Sequence, residues 1–503
     1  MEKSSKYVKD HGIHFAPAWR IIGFSGVNLA VNLYMGLTMY VSYYLNGFVG
    51  MAVVLASSFS TIMRLWDGIT DPIVGFFVDK FGNRVGKTRL CMTIGGVLLL
   101  INSFLMFRVT HLLPDNSLYR SIFFTIFSLL FYIGYTFLNV SMHTGNVCLT
   151  NDPKQRPFVS IVGTILVRLS RAIMQVYVAA LVVKYGRMSA LGVFEDFWLI
   201  TAITAIAASV CILVAFISIA PKDIPQFNII SKKKQAIKFK DYFRVLKYNR
   251  PLQMLIVSAA TDKLATSCRI SAISVVVFGI IIGNYDLNGG WSLYTTIIGL
   301  IMMTLGIGAI GGKMGLKKAV QIGSWGVVIF NTLTILLFIF FDPKTLNLPG
   351  FVNGYGEAFT GFTFFTVAMF LLSVLGEGTQ MICASAIPPM IADINDYEAS
   401  RSGKYMPGMV ATIYTFIDKL ISSVAPLLVG VVFAWIGFAD KLPDVDTPYS
   451  TSLFVCGLFF YYGLLVLGSL CNVIAMKYYE LTPEKMTEVR ETIEQMRKQE
   501  NNV

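Results

Sequence analysis

The sequence predicts an all-α polytopic membrane protein with twelve transmembrane helices in two six-helix bundles and both termini cytoplasmic. Three observations carry that prediction. Of 503 residues, 55% are hydrophobic and only 14% are charged, against about 25% charged in ordinary soluble domains. The apolar residues form continuous runs of the ~20 needed to cross hydrocarbon, without the short alternation of barrel strands. Lys and Arg gather on one side of those runs.

The runs fall roughly at 19–46, 51–78, 90–108, 119–148, 158–184, 197–219, 252–283, 291–312, 318–341, 358–391, 406–437 and 450–476. Pro388 and Pro389 predict a break near the end of the tenth. Of the 41 Lys and Arg, 29 lie before the first run, after every even-numbered one except the sixth and twelfth, in the central link and in the tail. Six (Arg108, Arg120, Lys184, Arg187, Lys344 and Lys441) lie on the opposite side, and six lie within runs. Both termini are therefore expected in the cytoplasm of a multi-pass cell-membrane protein. The net charge of +12 then reports membrane orientation, and no nucleic-acid partner is expected. Residues 1–18 are too polar for a cleavable signal peptide.

The polar stretch 221–250, with Ser231-Lys232-Lys233-Lys234, is expected as a basic cytoplasmic linker beside anionic lipid. It separates an N-terminal bundle, 1–220, from a C-terminal one, 251–477, and 478–503 reads as a cytoplasmic tail forming a short amphipathic or solvated helix. Six spans on each side of a central link suit a carrier whose halves rock about a central site. Seven cysteines without a CxxC pair read as packing residues. Four histidines without HExxH, and no nucleophile–base–acid set, argue against an enzyme and against a cofactor. Trp19, Trp66, Trp198 and Trp291 are expected near span ends, as interfacial belt residues.

Charge inside the membrane is costly and marks function. Asp67 and Asp71 stand at i and i+4 in the second run, on one helix face. As ionised neighbours they repel, so a proton, a basic partner such as Arg64 or a bound monovalent cation must compensate. Carboxylate oxygens suit a hard cation; Thr70 offers a third oxygen but can face elsewhere on the helix. In the fourth run, Thr136 and Asn139 share a face and present neutral oxygens, with His143 one turn on. Asn28 and Asn32, one turn apart in the first run, can hydrogen-bond a polyol. Arg168 and Arg171, half-way along the fifth, face a cavity and an anionic solute, or pair with Asp67, Asp71 or Glu377. Asp262-Lys263 and Asp418-Lys419 lie in the seventh and eleventh runs. Lys419 needs a carboxylate or the cavity.

Two motifs then carry a resemblance. Arg64-Leu-Trp-Asp-Gly-Ile-Thr-Asp-Pro, continuing to Asn83-Arg-Val-Gly-Lys87, is one. Ala392-Asp-Ile-Asn-Asp-Tyr-Glu398, continuing through Arg401, Gly403 and Gly408 to Lys419, is the other. Together they resemble the glycoside–pentoside–hexuronide:cation symporters, the family of melibiose permease, over nearly the whole chain. The resemblance implies a major facilitator fold and cation-coupled symport. It implies a Na+ or H+ site on Asp67 and Asp71 with Thr136 and Asn139, a functional lysine at Lys419, and an inward-side gate at Asp79, Arg84 and Lys87. Asn139 replaces a family acid, His143 replaces a family tryptophan, and no acid stands near Asn28 to Asn32, so a disaccharide galactoside is not the expected cargo.

The expected function is import of a small polar solute (a sugar, glycoside or hexuronide-like compound) with a monovalent cation, by a protein that works as a monomer in the lipid bilayer. Asn28, Asn32, Asn139, His143, Arg168, Arg171 and Lys419 are the candidate solute contacts. The alternatives are the same fold moving a lysolipid or other amphiphile, or exporting a hydrophobic solute. A membrane sensor or scaffold is the reading from outside transport.

Overall fold

The computed structural model describes residues 8–9, 13–81, 86–150, 155–186, 188, 191–223, 239–269, 272–295, 315–402 and 407–501. Apart from a strand pair, Val8–Lys9 with Ile13–His14, and an isolated bridge from Val352 to Ala358, its regular structure is helical. Nine of the described helices are long and apolar enough to cross a membrane. A tenth joins them if the bent pair Arg250–Cys268 and Ala272–Ile281 is one span. The expected second span is present as a helix of 29 residues that carries Arg64, Asp67 and Asp71 and is not among these nine. The expected eighth lies mostly outside the described residues.

The chain divides into two compact units, Met1–Lys234 with Phe433–Asp446, and Gln235–Val432 with Thr447–Val503. The long helices of the first are α1 (Ala18–Thr38), α2 (Val53–Phe81), α3 (Lys87–Phe104), α4 (Ser117–Leu149), α5 (Arg156–Tyr185) and α6 (Leu191–Ile219). The second holds α7 (Phe239–Tyr248), α8 (Arg250–Cys268), α9 (Leu316–Phe340), α10 (Phe364–Ser402), most of α11 (Pro407–Trp435), α12 (Leu464–Lys477) and α13 (Pro483–Asn501). Within the first unit α1 packs on α6, α3 on α4, and α3 on α6. The second repeats these pairings as α8 on α12, α9 on α10, and α9 on α12. The second unit thus repeats the helix pairings of the first.

The side chains divide as a bilayer requires. On α2, Ala56, Phe59, Met63, Asp67, Thr70 and Val74 are buried, at helical spacings of three and four. Leu55, Ile62, Ile69 and Ile73 are exposed on the other face. Such an apolar outer face would be an anomaly in water and is the ordinary surface of a helix in lipid. Small residues let helices approach where lipid gives no hydrophobic drive. A Cβ on Gly95 of α3 would stand 2.7 Å from the Leu138 nitrogen and 2.8 Å from the Gly134 carbonyl oxygen of α4.

The turn into α3 is held from a distance. Gly86 has φ +94°, and a Cβ there would lie 2.2 Å from Asp223 Oδ2. The buried Asp223 carboxylate, just past α6, accepts from the Thr88 N–H at 3.3 Å and the Arg89 N–H at 2.9 Å. It thereby satisfies free donors at the N-terminus of α3, where negative charge is favoured. The segment Phe433–Asp446 is likewise fixed by hydrogen bonds. The Tyr43 hydroxyl donates to the Pro443 carbonyl at 2.7 Å, and Asn46 Nδ2 to the Asp440 carbonyl at 2.8 Å. The Leu442 N–H donates back to Asn46 Oδ1 at 3.0 Å, and the Met188 N–H donates to the buried Asp444 carboxylate at 2.7 Å.

Three local expectations are corrected. α10 runs through Pro388 and Pro389 without a break and carries the Ala392–Glu398 motif on its last turns. A proline removes only its own N–H, and long membrane helices absorb that loss through neighbouring groups. Trp66 is no belt residue: it lies mid-helix and donates Nε1–H to the Leu129 carbonyl at 3.1 Å, tying α2 to α4. Trp291 is buried, edge-on to Phe370 at 6.0 Å. The linker residues 224–238, including Ser231 to Lys234, lie outside the described residues.

The tail is part of the second unit's core. Met486 and Val489 of α13 are buried among Ile394 of α10, Val410 and Ile413 of α11, Met476 of α12 and Val245 of α7. Lys317 Nζ donates to the Tyr479 carbonyl at 2.7 Å just before it. Burying side chains of this size is worth roughly 1.5–3 kcal/mol each. Deleting 483–503 is expected to destabilise the protein by about 3 kcal/mol or more. Thermal unfolding of the detergent-purified protein reads this; an unchanged transition would show that α13 adds nothing.

Candidate functional site

The buried row on α2 delivers Asp67, 4% exposed, to the flank of α4. There the Thr136 hydroxyl donates to Asp67 Oδ1 at 2.8 Å. Thr136 is fully buried, and its oxygen is also 3.0 Å from the Tyr132 carbonyl and 3.0 Å from the Thr70 hydroxyl. Thr70, 3% exposed, also bonds the Asp67 carbonyl at 3.0 Å. Thr70 is thus a closer member of the cluster than its sequence position indicated. It stands three residues from Asp67, which is one helix face, and that spacing was the signal to weigh more heavily. Asp71 follows one turn after Asp67, half-buried, and Arg64 precedes it, also half-buried.

The chemistry of this cluster follows from its hydroxyls. Thr136 has one proton and three oxygens within reach, Asp67 Oδ1, the Tyr132 carbonyl and the Thr70 hydroxyl. Turned to Asp67, it stabilises an ionised carboxylate. Turned to Tyr132, it frees lone pairs beside that carboxylate. The same oxygens therefore suit a carboxylate alone or a carboxylate with a cation in contact. Among the described residues no group of three or more His, Cys, Asp or Glu is placed to hold a metal ion.

The other predicted residues are placed less closely. Asn139 is half-buried one turn from Thr136, and His143 is exposed one turn further. Asn28 Nδ2 donates to the Ser25 carbonyl at 3.3 Å and Asn32 Nδ2 to the Asn28 carbonyl at 2.8 Å. Each thus spends an amide N–H on its own helix. Asn28 also abuts α5, since a Cβ on Gly163 would lie 3.4 Å from its Nδ2. On α5, Arg168 is half-buried and Arg171 exposed. Lys419 is half-buried on α11. Lys87 opens α3 and is half-buried, whereas Arg84 and the side chain of Asp79 lie outside the described residues.

The second unit pairs its charges in ways that spacing does not reveal. Lys263 Nζ is 3.8 Å from Asp418 of α11. Gln380 of α10 donates to Asp262 at 3.3 Å and contacts the Thr266 hydroxyl at 3.0 Å. Arg269, directly after α8, reaches Glu377 of α10 at 3.5 Å. Glu377 was a possible partner for Arg168 and Arg171; it sits instead beside Arg269.

A family model for MFS/sugar transport proteins matches residues 23–483. The chain belongs to that family. It is a multi-pass membrane transporter of the major facilitator superfamily, not an enzyme. Among curated relatives, the family member is 23% identical over 495 residues to the glucuronide carrier protein homolog of Escherichia coli (strain K12), covering 96% of each chain. It is 23% identical over 484 residues to a putative sulfoquinovose importer of Salmonella typhimurium (strain LT2), covering 93% of this chain and 90% of that one. Its fold is similar to the crystal structure of a POT family transporter in complex with 5-aminolevulinic acid. That match has a TM-score of 0.59 at 11% identity and covers 94% of this chain and 98% of the other. The major facilitator transporter thus shares its fold with a protein that differs from it at most positions.

Proposed function

We propose that this protein is a cation-coupled symporter of the glycoside–pentoside–hexuronide type, importing a sugar, glycoside or hexuronide-like solute by alternating access. The observation that carries the proposal is the buried Asp67 carboxylate of α2, which accepts from the Thr136 hydroxyl, itself in contact with the Thr70 hydroxyl. An empty, ionised site resists enclosure because uncompensated charge is expensive in low dielectric. A monovalent cation on Asp67 and Asp71, with Thr136 and Asn139 completing the oxygen shell, removes that cost. Closure around cation and solute together is then favoured, and both cross. Na+ and H+ are the two candidate coupling ions. Relatives named as a glucuronide carrier homolog and a putative sulfoquinovose importer support a sugar cargo.

In this proposal twelve spans cross the membrane, both termini are cytoplasmic, and residues 1–220 and 251–477 form the moving bundles. Asp79, Arg84 and Lys87 belong to the inward-side gate, and Asn28, Asn32, His143, Arg168, Arg171 and Lys419 to the solute path. The protein works as a monomer.

Uptake of radiolabelled glycosides into proteoliposomes under an imposed Na+ gradient, a proton gradient, or neither tests the reading. Accumulation driven by one gradient is expected; equal uptake in all three sinks the coupling. Thr136→Val removes one oxygen while keeping the side chain's shape. It is expected to raise the half-saturating cation concentration about tenfold, the loss of one contact to a charged group, seen in the cation dependence of uptake.

A further inference from the structure

The second unit contains a charged cluster that the cation site does not use. α8 ends at Cys268, Arg269 follows, and the next described helix, Ala272–Ile281, is inclined to α8 by 56°. Residues Val275–Ile281 are π-helical, as are Phe459–Gly463, which carry Tyr461 and Tyr462. The Arg269 guanidinium carbon lies 4.3 Å from the Tyr461 ring centre and 5.9 Å from that of Tyr462. Its Nη2 is 3.5 Å from Glu377 Oε1, with the two side chains 16% and 21% exposed. The Tyr462 hydroxyl is buried and has no hydrogen-bond partner among the described residues.

Each feature has a physical reading. Interrupted helices and π-helical turns free backbone and redirect side chains, and carriers use them where a solute binds. A guanidinium inside a membrane protein is expensive unless it serves function. A structural tie between Arg and Glu closes to about 2.7–2.9 Å, often through two parallel bonds. The single 3.5 Å contact here commits one of five N–H donors to the carboxylate. Tyr461, with its ring centre 4.3 Å from the guanidinium carbon, holds the cation in place by its ring face. Glu377 neutralises the charge without filling the fork, as a counter-ion that an incoming oxyanion can replace.

We infer that Arg269, with the unpartnered Tyr462 hydroxyl, binds the acidic group of the solute, a carboxylate or sulfonate on a sugar. Glu377 is its resident counter-ion. The inference rests on the reading of the protein as a sugar carrier and adds where the acid is recognised. Two charged donors meet the oxyanion and the phenol supplies a third. A neutral glycoside leaves Arg269 with Glu377 and the two tyrosines, and binds more weakly.

Binding of three probes to the purified full chain tests this: methyl glucuronide, methyl 6-deoxy-6-sulfoglucoside and methyl glucoside, each titrated by thermal stabilisation. The wild type is expected to bind at least one acidic probe about tenfold or more tighter than methyl glucoside. Which acid wins tells carboxylate from sulfonate. Arg269→Gln and Arg269→Lys are expected to lose roughly 10- to 100-fold for the acid, with methyl glucoside unchanged. Glu377→Gln is expected to tighten acid binding several-fold, a gain that misfolding cannot imitate. Undiminished acid preference in both Arg269 variants, or no gain in Glu377→Gln when the Arg269 variants do not fold, overturns the site and leaves the sugar reading standing. A wild type that binds none of the three probes overturns both.

Discussion

Proteoliposomes carrying Asp67→Asn are expected to accumulate no solute above equilibrium, with gradient-driven uptake down at least about 100-fold. The amide has the carboxylate's shape and can keep the 2.8 Å contact with Thr136, so the fold is retained. What it loses is the full negative charge in a site 4% exposed, and removing one partner of a buried charge pair costs roughly 3–5 kcal/mol. At about 1.4 kcal/mol per tenfold, that exceeds 100-fold in cation affinity. Downhill counterflow of labelled solute is the control. It persists if Asp67 serves the cation alone and is lost if Asp67 also holds solute. Normal accumulation by Asp67→Asn would remove the carboxylate from the coupling site. Asp71→Asn, at a half-buried position, is expected to be milder.

Gly95→Val is expected to be the most damaging apolar substitution in the first unit. The added Cβ would meet backbone atoms, 2.7 Å from the Leu138 nitrogen and 2.8 Å from the Gly134 oxygen. The contact is reciprocal: a Cβ on Gly134 would lie 2.8 Å from Leu98 Cβ and 3.1 Å from the Leu99 nitrogen. Neither helix can yield by rotating a side chain, so α3 and α4 must separate. Overpacking of this kind costs about 3 kcal/mol or more. Gly134 and Leu138 bracket Thr136 on α4, so the displacement also moves the hydroxyl that serves Asp67. The expected result is a shortened half-life on heating together with weakened cation dependence. Full stability and unaltered coupling would show that the contact is not rigid.

The sequence was legible where the relevant residues were close together. Asp67 and Asp71 declare a shared face by spacing alone, whereas the part of Thr70 emerges only with Thr136 on the helix laid alongside. Apolar runs announced the helices because a bilayer leaves a segment little choice. What stayed hidden spans the chain. Asp223 closes on Gly86 from 137 positions away, and no local pattern ties an acid after α6 to a turn before α3. The pairing of Arg269 with Glu377 depends on how α8 lies against α10, which the sequence around neither residue declares. Pro388 and Pro389 misled for a related reason: the local rule sees a missing N–H, while the surrounding helices decide whether it matters. Trp66 and Trp291 misled because an amphipathic ring suits an interface and a buried contact equally well.

The placement of Phe433–Asp446 has a consequence for how the protein is made. Asn46 and Tyr43 emerge from the ribosome early, yet the carbonyls they bond, on Asp440 and Pro443, arrive some 400 residues later. Domains generally fold in order of synthesis, but here the first unit remains an unfinished assembly until nearly the whole chain has been translated. A coding sequence split at the central link would leave the first unit without Phe433–Asp446, which the second fragment carries. The two halves are expected to restore the protein when co-expressed, and the N-terminal fragment alone to be degraded.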